Sequence, residues 1–132
     1  MTAPVRGRRR TARAAAHRRA RPCPTCGHTP IAAAEAIEQR HDLQVVWLTE
    51  TPTAPGHLTT RRFCAECQPR GAVYPIVCRI CADGPIVTGP LAEQAAAGEL
   101  PPVVADALTA DGWRQARDGD GWVCPRCARP AG

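Results

Sequence analysis

Four Cys-x-x-Cys pairs account for all eight cysteines of the chain: Cys23/Cys26, Cys64/Cys67, Cys78/Cys81 and Cys124/Cys127. A turn of this kind brings two thiolates onto one ion while neighbouring backbone N–H groups donate to sulfur, and two such turns complete a tetrahedron. One pair is weak evidence for a metal; four with no cysteine left over point to two four-cysteine zinc sites. The competing use of cysteine, as disulfides, depends on redox compartment. The N-terminus lacks the roughly 7–15-residue apolar core of a secretory signal. No apolar run approaches the roughly 18 residues of a membrane span. The expectation is a cytoplasmic chain with reduced thiols, two zinc ions as cofactors and no membrane partner.

The metal is needed for more than local geometry. Only five aromatic side chains, Trp47, Phe63, Tyr74, Trp113 and Trp122, are on offer to a core in 132 residues. Units below about 60 residues bury too little surface to be stable unaided. Structural zinc contributes about 10–16 kcal/mol in small peptides, which exceeds the stability of most domains. The metal therefore decides whether a chain like this folds.

Charge is divided unevenly. All seventeen basic residues are arginine, and eight of them (Arg6, Arg8, Arg9, Arg10, Arg13, Arg18, Arg19 and Arg21) fall within residues 1–21, which contain no acid. From Pro22 onward nine arginines face twelve acids, a net of −3. Two zinc–tetrathiolate centres, each with a net charge of −2, would take that part to about −7. Residues 1–21 are expected to be a disordered basic tail. They read as a nucleic-acid-binding arm, a solvated tail without a specific partner, or an extension from a misassigned start codon. The absence of lysine, asparagine and serine fits the codon bias of a high-GC genome, which accounts for part of the arginine.

Along the rest of the chain, Thr29-Pro30 reads as a helix start, and Ile31, Ala34 and Ile37 share one face of a helix over 30–41. A strand is expected over 44–49, a loop at Thr51-Pro52 and Pro55-Gly56, and a second strand over 58–63 that leads into Cys64. Residues 72–77 allow a short strand that Pro75 confines to an edge. After a turn at Asp83-Gly84-Pro85, a helix over 91–97 stops at Gly98. Another opens at Pro101-Pro102 with Val103, Val104, Ala107 and Leu108 as its apolar stripe and Gly112 as its stop. Asp118-Gly119-Asp120-Gly121 turns a hairpin that carries the last cysteine pair. The expected fold is a small metal-stabilised α+β protein. It comprises a basic tail (1–21), a first zinc-binding unit (22–70), a hinge (71–77) and a second unit (78–128).

Cys23-Pro-Thr-Cys26-Gly27 resembles the first knuckle of a zinc ribbon, and Trp122-Val-Cys124-Pro-Arg-Cys127 resembles a second knuckle on a strand. The likeness, to small double zinc-ribbon proteins of high-GC bacteria, is confined to the four knuckles. Only the first has a glycine after its second cysteine; Gln68, Ala82 and Ala128 stand there in the others. Three pairings stay open: sequential, nested and interleaved. Aromatic residues just before the second and fourth knuckles favour the sequential one.

Catalysis finds little support, since open zinc sites keep a water position and draw on histidine or carboxylate. His28 could replace a thiolate but reads better as a knuckle-loop residue, and His41 and His57 read as capping or exposed. Arg79 and Arg126, inside knuckles, and Arg61 and Arg62, before one, could meet phosphates; the simpler role is compensation of the thiolate charge. The helix after Pro102 carries Asp106 and Asp111 and no arginine, which speaks against insertion into a DNA groove. The leading expectation is a non-enzymatic zinc-binding module that meets DNA or RNA through the tail arginines, with no small-molecule substrate evident. The alternative is an adaptor whose acidic core binds a protein.

Overall fold

The computed structural model describes residues 20–129, which form a small α+β fold. In chain order the elements are α1 (Ala33–Asp42), β1 (Trp47–Thr51), β2 (Ala54–Arg61), β3 (Val73–Pro75), β4 (Ile86–Thr88), α2 (Pro90–Ala96), α3 (Pro102–Ala110), β5 (Arg114–Gln115), β6 (Trp122–Val123) and α4 (Pro125–Ala128). The described residues fall into two compact units, 20–45 with 62–68, and 46–61 with 69–129. The expected division at 71–77 follows sequence order, whereas this one does not. The hairpin over residues 46–61 belongs to the second unit, although the chain returns to the first afterwards. Residues 71–77 contribute β3 and the buried Ile76 to the second unit.

The first unit is small. Its buried apolar cluster consists of Cys23, Leu43 and Cys64, with Cys67 packed against them. Helix α1 starts three residues after Pro30, at Ala33, with Ala32 as an N-cap that makes no side-chain bond. Its orientation corrects the expected apolar face. Ile31 and Ile37 are 86% and 54% exposed, while Ala36 and Gln39 are buried. The cause is polar: Gln39 Nε2 donates to the carbonyls of Arg21 and His28 at 2.7 and 2.9 Å. Small Ala36 and a satisfied Gln39 let the helix approach the cysteine turn closely, and the isoleucines are left on the opposite side.

The second unit holds a larger core, built from Leu48, Ile76, Val87, Ala92, Val104, Leu108 and Trp113 together with Cys78 and Cys124. Its four-stranded mixed sheet has the order β2-β1-β4-β3. β1 runs antiparallel to β2 and parallel to β4, with Trp47 opposite Ile86 and Leu48 opposite Val87. β3 is an edge strand, where Pro75 can lack a donor at no cost to the ladder. α2 packs on β3 and β4, and α3 on β2. Val104 and Leu108 of the α3 stripe are buried, and Val103 and Ala107 half-buried.

Two strands depart from expectation. Val45 and Gln44 still close the end of α1 through bonds to Asp42 and His41 carbonyls, so β1 begins only at Trp47. Pro55-Gly56 lies inside β2 rather than in the loop. The register jumps from Glu50 opposite Leu58 to Thr51 opposite Ala54, so residues 55–57 bulge, with Gly56 at φ 85°. β4 escaped sequence reading altogether. Among the described residues no helix is long and apolar enough to cross a membrane.

Candidate metal centres

The eight cysteines gather into two clusters, Cys23/Cys26/Cys64/Cys67 in the first unit and Cys78/Cys81/Cys124/Cys127 in the second. Pairing is thus sequential rather than nested or interleaved. Within each cluster every sulfur lies within 4.8 Å of the others, and all eight thiols are free. A tetrahedral ion with sulfur at about 2.3 Å would hold its ligands about 3.8 Å apart. The Sγ–Sγ distances are 3.7 Å for Cys26–Cys64, 4.0 Å for Cys23–Cys67 and 3.8 Å for Cys81–Cys124. Both donor sets therefore fit a metal ion each, four-coordinate and closed.

The two clusters are built alike. In each, the amide of the third cysteine donates to the sulfur of the first: Cys64 N to Cys23 Sγ and Cys124 N to Cys78 Sγ, both at 3.3 Å. Further amides serve the sulfurs from within the knuckles, His28 N to Cys26 Sγ at 3.5 Å and Ile80 N to Cys78 Sγ at 3.4 Å. Burial pushes the Cys23 and Cys78 thiols up. The backbone donors outweigh it and bring both down to about 6. The partner thiols go the other way: hydrogen bonding to Cys26, burial and the Cys23 charge raise Cys67, and bonding to Cys124 pushes Cys127 up to about 12. Four thiols packed this closely cannot all ionise without a cation among them.

The knuckle backbones explain the local fold. Cys23 N donates to His28 O at 2.9 Å and Gly27 N to Cys23 O at 2.7 Å, closing the first turn. In the second unit Ala82 N donates to Cys78 O at 2.9 Å. The β5–β6 hairpin joins that knuckle through Arg79 N to Trp122 O at 2.8 Å, which sets Cys124 beside Cys78. In the last pair Cys124 caps α4 and Cys127 lies within it; α4 is a single helical turn where the sequence predicts a knuckle on a strand.

Of the arginines expected to offset thiolate charge, Arg126 does so in the second unit. Arg126 bonds the Cys81 sulfur and is held above its usual range by it. Arg79 instead spans the hairpin turn, with Nη1 at 2.8 Å from both Asp118 carboxylate oxygens and 3.1 Å from Asp120 O. This contact keeps the Asp118 carboxyl below the ordinary range. Arg62 Nη1 donates to Leu43 O at 2.6 Å at the end of α1. His28 pairs with Glu35 at 2.7 Å and is not among the clustered ligands; His41 and His57 are exposed. Arg21 is in the first unit and offers its carbonyl to Gln39. Arg6, Arg8, Arg9, Arg10, Arg13, Arg18 and Arg19, and the expected disorder of their segment, lie outside the described residues.

Comparison of the chain with protein-family models, with curated proteins and with solved structures found no match.

Proposed function

We propose that the chain is a non-enzymatic zinc-braced module that binds nucleic acid through the arginines of residues 6–21. Support for the first half comes from the two closed, all-sulfur clusters: zinc imposes no geometry against a tetrahedral thiolate set, and neither cluster offers the histidine or carboxylate usual at open catalytic sites. The nucleic-acid half rests on charge segregation, eight arginines and no acid in residues 1–21 against an acidic remainder. Such a segment attracts phosphate by counterion release. If all eight arginines contacted duplex phosphates, the log–log salt slope would approach about −7. The test is a salt titration of duplex and single-stranded DNA and RNA with the metal-loaded chain and with a variant carrying Arg→Gln at Arg6, Arg8, Arg9, Arg10, Arg13, Arg18 and Arg19. Loss of affinity and of most of the slope is expected. Equal binding by both proteins would sink this reading.

A protein adaptor is the second reading, and the exposed Ile31, just before α1, and Ile37, within it, favour it. Neutralising the tail would then leave partner capture intact, and nucleic acid would not compete.

A further inference from the structure

The first unit contains a second feature that neither metal cluster uses. A cavity of about 640 Å³ opens between the start of the described chain and the last turn of α1. Its walls carry Arg21, Arg40 and Arg62, with Ala20, Leu43 and Gln44 between them. The volume lies within the range of about 300–1,000 Å³ common to ligand pockets.

No carboxylate lines the cavity. Acids are present in this unit at Glu35, Glu38, Asp42 and Glu66, and none of them is on its walls. Three arginines lining one space favour an anion placed among their charges. The α1 C-terminus at this end opposes an anion with roughly half a negative charge. Three full positive charges outweigh it, and Arg62 already satisfies the Leu43 carbonyl with one N–H. A guanidinium has five N–H donors, so four remain on Arg62 for a ligand. Planar arginine forks suit phosphate oxygens in particular.

The position of the cavity in the chain decides among anions. Ala20 is on its wall, and Arg18 and Arg19 immediately precede it in sequence. The basic segment therefore joins the folded chain at the cavity. We infer that the Arg21/Arg40/Arg62 cavity is a phosphate site for a nucleic-acid backbone, which anchors on the folded unit the same strand that the preceding arginines follow. This inference rests on the nucleic-acid reading above and adds to it two folded-unit residues, Arg40 and Arg62.

The test compares full-length, metal-loaded wild type with Arg40→Gln/Arg62→Gln and with the control Arg114→Gln/Arg117→Gln, exposed arginines of the second unit. Each protein is first checked for equal metal content. Arg40→Gln alone serves if the loss of the Arg62–Leu43 bond disturbs the fold. Duplex binding is then titrated against salt. The cavity variant is expected to flatten the slope by about 1–2 and to bind more weakly at about 50 mM salt, while the control matches wild type. Pyrophosphate should compete for wild type more effectively than for the cavity variant. If the cavity variant keeps the wild-type slope and affinity while tail neutralisation abolishes binding, the cavity assignment fails and the tail reading stands. A control that weakens binding equally also overturns the cavity. Wild type that binds no nucleic acid removes both. Binding of poly-glutamate that depends on Arg40 and Arg62, without a matching effect on duplex, reassigns the cavity to an acidic peptide.

Discussion

Gly27 and Ala82 hold the same place in their knuckles, directly after the second cysteine, and both adopt left-handed backbone, at φ 79° and 64°. Glycine does so freely, while a residue with a Cβ sacrifices roughly 1–2 kcal/mol. Ala82→Gly should therefore stabilise the second unit by up to about 1 kcal/mol once the extra chain entropy of glycine is deducted. Gly27→Ala should destabilise the first by about 1 kcal/mol, with no steric obstacle involved, since nothing lies within 4 Å of the added Cβ. Thermal melts at fixed free metal check both; a destabilising Ala82→Gly would contradict the strain.

Metal removal should act unequally on the two units. The first buries Ala36, Leu43 and Phe63 beside its cluster, whereas the second buries Leu48, Ile76, Val87, Ala92, Val104, Leu108 and Trp113. Arg126 also compensates thiolate charge only in the second. Chelator titration is expected to take the first metal earlier. Trp47, Trp113 and Trp122 all belong to the second unit, so the larger change in tryptophan fluorescence is expected in the second step. Cys64→Ser/Cys67→Ser should lose one metal per chain by native mass spectrometry and keep that larger fluorescence change. Simultaneous loss of both metals would contradict the asymmetry.

Acid should release the metal. Cys23 and Cys78 are held at about 6 against an ordinary 9.0, so the stability they contribute is complete above pH 9 and is lost as pH falls through about 6. A bound cation favours the thiolates further, in the same direction. A metallochromic dye followed from pH 8 downward should show release centred at or below about pH 6. Release already complete at pH 7 would contradict this ordering.

Gly84 marks a tight approach in the second unit. A Cβ there would collide with the Ile76 carbonyl oxygen and meet the Trp113 ring at 2.9 Å. Gly84→Ala should cost about 1–3 kcal/mol, as overpacking does in cores. Gly71→Ala, with open space around it, should cost much less. Chemical denaturation of the metal-loaded proteins measures the difference.

The cysteine pairs and helix stops were legible because they depend on short-range chemistry. Gly98 and Gly112 end α2 and α3 with φ of 112° and 99°, and Pro75 marks an edge. Sequential pairing could be favoured from the aromatic positions, but only the folded chain brings Cys64 to Cys23. The face of α1 was misread because periodicity weighs Ile31 and Ile37 by hydrophobicity. The buried side is chosen instead by the two hydrogen bonds of Gln39, partners that sequence spacing does not reveal. β4 has only three residues, and its partner β1 lies some forty positions earlier, too short and too distant for a local pattern. The Arg21/Arg40/Arg62 cavity likewise joins residues from three separate stretches.

The exchange of residues 46–61 into the second unit sets an order of events during synthesis. All four sulfurs of the first cluster have been made once Cys67 is translated, so that cluster can close on its ion early. β1 cannot pair on its second side until Ile86 to Thr88 appear, which at about 5–20 residues per second is on the order of seconds later. For that interval the hairpin is a two-stranded ribbon with an open edge at Trp47 and Leu48, the form most exposed to mispairing. A metal-clasped first unit would then hold both ends of the waiting hairpin together, so that metal supply during translation governs the yield of the second unit as well as the first.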